Sequence, residues 1–393
     1  MAICTAPAAR IVTAGLSTRL DVSPSCQSTE PALAHIYFYL SGACNLRCRH
    51  CWIDPRAETQ PGMFVPWAEW QRVFVEAKEL GLRAVKLTGG EPLLHPEALE
   101  IMRELKRMGL SITMETNGTL IDAEVARTIK ETCSFVSVSV DGPTAESHED
   151  LRGVKGAFDQ TCRGMELLKH EGMRFQVITC LHRRSRPLLA DMVTFAREAG
   201  AESVKINPIT ATARGERMRE QGELLTVAEV LQTYRELEEW DGRQDGFRVL
   251  FDIPPAFKSI EKLRLGNRGT CGILGILGIL HNGVASLCGI GETVDDLAFG
   301  NVLESGVADI WRAHETLCAV REHMPHRLGG LCERCMMRTH CLGKCIAHTY
   351  VDTGDLFSGY PFCQQAYEEG LFPASRLQSE VSTVAAGTRE NRS

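Results

Sequence analysis

From His35 to about Pro208 the chain alternates short β-branched or apolar runs with amphipathic segments of helical length. That alternation is the mark of parallel βα units, in which each strand is followed by a helix that covers the sheet. The pattern predicts strands at Ile36 to Leu40, Ala84 to Thr88, Ser111 to Glu115, Phe135 to Val140, Arg174 to Cys180 and Ser203 to Asn207. Helices are predicted between them, at about Pro66 to Leu80, Pro96 to Met108, Asp122 to Thr132, Ala157 to His170 and Leu188 to Ala199. Six strands are too few for a closed eight-stranded barrel. The expectation is an α/β fold, a partial (β/α)6 barrel of TIM type, with its chemistry at the C-terminal ends of the strands.

The flanks read differently. Residues 1 to 33 are rich in Ala, Ser, Thr and Pro without sustained periodicity and predict an irregular lead-in, and residues 367–393 predict a flexible tail. Thr226 to Trp240 predicts one more helix, after which Gly and Cys dominate. The expected division is therefore a barrel over 34–215, a helical linker region over 216–267 and a cysteine-rich domain over 268–366. The tripeptide echo Gly-Ile-Leu at 272 to 280 is too short for a solenoid.

A net charge of -7 over 393 residues gives no basic face for nucleic acid. The one basic run, His182 to Arg186, reads as a solvated loop. No stretch approaches the roughly 18 apolar residues of a membrane span, and the N-terminus lacks the apolar core of a secretory signal. A cytoplasmic protein is expected. In a long chain with ordinary core composition, 16 cysteines point to metal binding more than to a disulfide scaffold. Ten of them fall into two tight patterns, while Cys4, Cys26, Cys133, Cys162, Cys180 and Cys318 stand alone and read as small buried hydrophobes or tail residues.

The first pattern, Cys44-Asn-Leu-Arg-Cys48-Arg-His-Cys51, puts three thiols on the loop after the first predicted strand. A zinc site would want a fourth ligand close by. His50 could supply one only by turning back between two of the cysteines. Three thiolates suit a 4Fe-4S cube with one iron free of protein ligand. This C-x3-C-x2-C loop resembles the signature of the radical SAM superfamily. In that family the free iron is chelated by S-adenosylmethionine, whose reductive cleavage gives a 5'-deoxyadenosyl radical that abstracts hydrogen from substrate. The resemblance runs over roughly 35 to 215. Gly89-Gly90-Glu91-Pro92 resembles the family's GGEP motif, where backbone atoms meet the SAM amino group and Gly permits the approach. Thr116-Asn117-Gly118 matches a common TNG turn. Ser137, Ser139 and Asp141-Gly142, with Arg152-Gly153, resemble the segment whose Ser and Arg contact SAM ribose and carboxylate. A surface ion pair of Arg152 with Glu149 or Asp150 is the other reading. Trp52 sits where many relatives carry an aromatic residue near the cluster and adenine.

The second pattern is Cys271-x11-Gly283-x4-Cys288, then Cys332-x2-Cys335-x5-Cys341-x3-Cys345, and finally Cys363. It is similar to the SPASM domain of peptide and protein maturases. The resemblance implies an outer auxiliary 4Fe-4S cluster on Cys332, Cys335, Cys341 and Cys363 and an inner one on Cys271, Cys288 and Cys345, three clusters in all. The inner one would keep an open iron unless Cys318 or His281 closes it. Sulfatase maturases carry an extra cysteine soon after the first SPASM cysteine and an acidic residue directly after the second, where this chain has Gly289. That departure argues against formylglycine formation and leaves Glu292, Asp295 and Asp296 as general-base candidates. Ile36-Tyr-Phe-Tyr-Leu40 and Cys288-Gly-Ile-Gly-Glu292 also look like the maturases of the SynChlorMet peptide cassette.

The function this implies is modification of a ribosomal peptide or protein side chain, with oxidative cross-linking favoured over epimerisation. About 34 residues precede the first strand, so a separate leader-binding protein or direct leader capture is expected, together with an external low-potential electron donor. The competing readings are a dehydrogenase or epimerase of a sugar or aminoglycoside, and a non-catalytic electron carrier or zinc scaffold. A carrier has no need of the GGEP and Ser/Arg motifs.

Overall fold

A computed structural model describes residues 31–55, 63–238, 246–264 and 271–378. Seven parallel strands follow one another in space as in sequence: β1 His35–Ser41, β2 Ala84–Gly89, β3 Ser111–Thr116, β4 Cys133–Ser139, β5 Phe175–Leu181, β6 Ser203–Pro208 and β7 Arg248–Phe251. The helices α1 Trp67–Glu79, α2 Ala98–Arg107, α3 Ala123–Thr132, α4 Ala145–Arg152, α5 Ala157–His170, α6 Leu189–Glu198, α7 Arg214–Glu220 and α8 Val227–Glu238 fill the connections. Local chemistry sets several of their starts: the Asp122 carboxylate accepts from Val125 N at 2.9 Å, and Thr144 with Ser147 closes a capping box on α4. The core is built as the apolar runs require. Phe38 of β1, fully buried, meets Trp70 and Phe74 of α1 edge to face, with centroids 4.8 and 5.1 Å apart.

Two features depart from the expected layout. The seventh strand lies inside the segment expected to be a helical linker, and it pairs in parallel with β6 from Ser203↔Arg248 to Ile206↔Phe251. On the other side, β8 Ile276–Ile279 from the cysteine-rich region pairs in parallel with β1, from His35↔Ile276 to Phe38↔Ile279. The strands β9 Val284–Ser286 and β10 Ala298–Asn301 follow antiparallel. The result is one open ten-stranded sheet, in the order β10-β9-β8-β1-β2-β3-β4-β5-β6-β7. The two cysteine-bearing regions are therefore joined through a shared sheet. No helix among the described residues is long and apolar enough to cross a membrane.

In the basic run, Arg183, Arg184 and Arg186 pair with Glu229, Asp150 and Glu236. Cys133 is buried in the main core and Cys162 packs against it, whereas Cys4 and Cys26 lie outside the described residues. Cys318 is buried on the helix Glu315–His323, where its Sγ donates to the Arg312 carbonyl at 3.3 Å.

Candidate active site

The C-terminal ends of the parallel strands open into a cavity of about 460 Å³. The loop after β1 forms one wall with Cys44, Cys48 and Cys51, the first two buried in a small apolar cluster with Leu46 and Ala157. Donors face their sulfurs: Leu46 N lies 3.4 Å from Cys44 Sγ, Asn117 Nδ2 4.0 Å from the same atom, and Arg152 Nη1 3.6 Å from Cys48 Sγ. Burial, with Glu91 adding to it, pushes the free Cys44 thiol up to about 12. Holding Cys44 as a thiolate therefore needs a strongly held metal.

The loop after β2 closes on the cysteine loop by backbone contact, with Gly90 N donating to Ser41 O at 2.7 Å and Glu91 N to Ala43 O at 2.8 Å. A Cβ on Gly90 would fall 2.0 Å from the Ala43 carbonyl oxygen, so only glycine lets the loops meet. Gly89 and Gly90 line the cavity; Glu91 and Pro92 do not. Glu91 is wholly buried and points the other way, accepting from Thr116 Oγ1 at 2.8 Å, Asn117 N at 2.8 Å and Leu93 N at 3.2 Å. It braces the glycine loop against the turn after β3. Burial raises its carboxyl to about 7. Asn117, on that turn, lines the cavity and donates to Asn45 Oδ1 at 2.8 Å.

Of the two β4 serines, Ser139 lines the cavity, while Ser137 accepts from Gln176 Nε2 at 2.9 Å off it. Arg152 also lines it, 8 % exposed, and its Nε lies 2.6 Å from Asp141 Oδ2. Its ion pair is thus internal; Asp150 is engaged by Arg49 and Arg184 instead. Asp141 also accepts from Cys180 N at 2.8 Å. Burial alone would lift Asp141, but Arg152 and His50 outweigh it and hold the carboxylate below its usual range. His50, driven down to about 4 by burial, is a neutral imidazole whose Nε2 sits 3.8 Å from Asp141. His50, Asp141 and Cys180 could in principle hold a small ion, yet the Arg152 guanidinium already occupies that carboxylate.

The cysteine-rich region supplies the opposite wall. Cys288 and Cys345 line the same cavity, and Cys271 stands near them: Cys345 helps raise the Cys271 thiol, and both help raise that of Cys288. Cys332, Cys335, Cys341 and Cys363 gather around a separate small apolar cavity with Leu331 and Phe372. The seven thiols therefore form a group of three and a group of four. His281 Nδ1 is 2.9 Å from Glu292 Oε1, and its ring packs over Gly42.

Glu292, Asp295 and Asp296 do not line the cavity: the first is bound to His281, Asp295 is exposed, and Asp296 accepts from the Tyr350 hydroxyl at 2.8 Å. The carboxylates that do reach it are Asp252, just beyond β7, and Glu115 at the end of β3. Asp252 meets Lys344 Nζ at 2.6 Å, and Lys86 Nζ stands 2.5 Å from Glu115. Cys180, expected to be an inert core thiol, lines the cavity as well. Lys344 stands beside Cys345 in sequence and Glu115 ends a predicted strand, so both carried a signal; Asp252 follows a strand that no pattern announced.

The donor set fits the implied group. Three thiols of one loop line the cavity, the side chains that face their sulfurs are the donors Asn117 and Arg152 and not further ligands, and His50 is turned to Asp141 instead of back toward the sulfurs. Residues 38–196 match the family model described as the Radical SAM superfamily, and residues 271–336 match the SPASM model of an iron-sulfur cluster-binding domain. The chain therefore carries a radical SAM domain followed by a SPASM domain. These domains imply S-adenosylmethionine and 4Fe-4S clusters as cofactors. The chain is 29% identical to an AdoMet-dependent heme synthase of Oleidesulfovibrio alaskensis, over 91% of this chain and 94% of that one. It is 24% identical to a PqqA peptide cyclase of Gluconobacter oxydans, over 86% and 95%. Its fold is that of Streptococcus suis SuiB, solved bound to the precursor peptide SuiA, with a TM-score of 0.67 at 15% identity over 84% of this chain and 75% of the other.

Proposed function

We propose that this radical SAM/SPASM protein holds three 4Fe-4S clusters and modifies a side chain of a ribosomal peptide or protein by oxidative cross-linking. The observation that carries the reading is the single cavity into which both the Cys44, Cys48, Cys51 loop and the pair Cys288, Cys345 open. A substrate seated there lies between two iron-sulfur sites. When bound, SAM at the first site supplies hydrogen-atom abstraction. The chain's own residues then have distinct tasks. The Gly89–Gly90 backbone, Asn117, Ser139 and Arg152 would hold SAM. Asp252 is the carboxylate presented to substrate. Burial would lift it, but Lys344 and Lys205 outweigh burial and keep it ionised, the form a proton acceptor needs.

The arginine and the lysine that line the cavity, Arg152 and Lys344, are paired with Asp141 and Asp252. A largely neutral peptide segment suits that balance better than a polycarboxylate does. The volume of about 460 Å³ must also admit SAM, which leaves room for an inserted side chain more readily than for a whole macrocycle. PqqA peptide cyclase and peptide-bound SuiB lend the reading further support. A second reading, action on a tetrapyrrole, is favoured by the heme synthase relative, which aligns over 91% of this chain.

Anaerobically reconstituted enzyme with SAM and reductant should be offered short peptides encoded beside its gene and, separately, a porphyrin. Loss of two hydrogen atoms from a peptide, located to one residue pair by fragmentation, is the expected result. A mass change confined to the porphyrin would transfer the assignment to tetrapyrrole chemistry.

A further inference from the structure

The two cluster loops meet through one aromatic pair. Trp52 follows Cys51 directly, and its ring centre lies 6.2 Å from that of Tyr39, edge to face at 79°. Tyr39 stands near the C-terminal end of β1 and is 2 % exposed. Its hydroxyl end rests on the backbone of Gly289, the residue after Cys288: a Cβ there would fall 1.9 Å from the phenol oxygen and 2.1 Å from Cζ. Glycine at 289 is thus what lets the ring reach the chain beside Cys288. Tyr39, Ile53 and Leu280, with Cys51, Tyr37 and Val284 against them, make a small apolar cluster distinct from the main core. The span from Cys51 to Cys288 is therefore bridged by two π-systems, a buried Tyr39 ring and a partly solvent-exposed Trp52 ring, with neither needed to fill the barrel core.

We propose that Trp52 and Tyr39 form an electron path between the cluster held by Cys44, Cys48 and Cys51 and the inner auxiliary cluster held by Cys271, Cys288 and Cys345. The proposal rests on the cluster assignment above and not on the identity of the substrate. One electron leaves the reduced cluster at one end and one arrives at the oxidised cluster at the other. No bond forms or breaks and no proton moves, because the rings serve by overlap and return unchanged. In an oxidative reaction the electron taken from substrate could then go back to the first cluster, so that external reductant would be needed to start turnover more than to sustain it.

The test uses the full chain, reconstituted anaerobically and freed of substrate. A flash-reduced deazaflavin delivers less than one electron per molecule, and freeze-quench EPR follows its redistribution between clusters, SAM marking the first cluster by shifting its signal. Wild type should show a redistribution phase independent of protein concentration. In Trp52→Leu and Tyr39→Leu that phase should slow by about tenfold or more, a barrier increase of about 1.4 kcal/mol, with iron content unchanged. Tyr39→Phe, which keeps the ring, should retain the wild-type rate. Trp52 is 39 % exposed, so its variant does not depend on the core tolerating a change. An unaltered phase in Trp52→Leu at full iron content overturns the path, as does weakened SAM affinity in that variant with redistribution intact, which would assign the ring to adenine. Failure of the cluster assignment looks different: iron absent from the first loop in wild type.

Discussion

Replacing Glu91 separates bracing from cofactor contact. Its carboxylate accepts two backbone N–H groups, the buried one of Asn117 and the part-buried one of Leu93, besides the Thr116 hydroxyl. Glu91→Ala leaves both amides without a partner; at about 1–3 kcal/mol for the buried Asn117 donor and less for the part-buried Leu93 donor, the local structure should lose about 2–4 kcal/mol. Glu91→Gln keeps one acceptor oxygen but turns an NH2 toward the remaining donor, so about half that loss is expected. The pH dependence has a definite sign. Burial raises this carboxyl from 4.5 to about 7, so between those values the folded chain holds a proton that the unfolded chain has released. Stability therefore falls as pH rises through that window and is level above it, by about 3 kcal/mol in sum. Glu91→Gln should abolish that slope. The assay is amide hydrogen exchange over the turns containing Leu93 and Asn117, measured without SAM. A loss of about 3 kcal/mol in local opening speeds exchange about 100-fold. Wild-type exchange in Glu91→Ala, combined with weakened SAM binding, would refute the brace and return Glu91 to the cofactor.

Three further outcomes are expected. Reconstituted protein should bind about twelve irons, four for each of three cubes; zinc with little iron would remove the cluster reading altogether. Replacing Cys44, Cys48 and Cys51 together by Ala should abolish 5'-deoxyadenosine formation, measured by chromatography, while the iron of the C-terminal groups remains. Asp252→Asn should slow product formation about 10²- to 10³-fold while 5'-deoxyadenosine is still released; product formed at the wild-type rate would show that another group takes the proton.

Much of the fold was legible because period and composition agreed over the first six strands, each found within two residues of its predicted limits. The seventh was not. Arg248–Phe251 is four residues long and owes its strand conformation to pairing with β6, a contact that no local pattern encodes. The same holds for Ile276–Ile279, whose Gly-Ile-Leu echo resembles nothing in particular until it lies along β1. Within the site, motifs gave residue identities but not directions. Glu91 follows two glycines that face the cavity, yet Thr116 and Asn117 from the next strand's turn draw its carboxylate inward. Glu292 sits four residues after Cys288, but His281 claims it. Asp252 and Lys344, adjacent in the cavity, are far apart in sequence, and only the tertiary fold brings them within 2.6 Å.

The pairing of β1 with β8 also bears on how the protein is made. β1 is an interior strand of the finished sheet, but its neighbour on one side is Ile276–Ile279, far later in the chain. During synthesis β1 can dock on β2 almost at once, while its other edge must wait roughly ten to fifty seconds at ordinary translation rates. Throughout that interval an apolar strand edge and three thiols of the neighbouring loop lie open, a setting in which intermolecular strand pairing competes with closure. Slowing synthesis between the two segments should therefore increase aggregation, and a chaperone or cluster carrier acting on the nascent chain would find its target here.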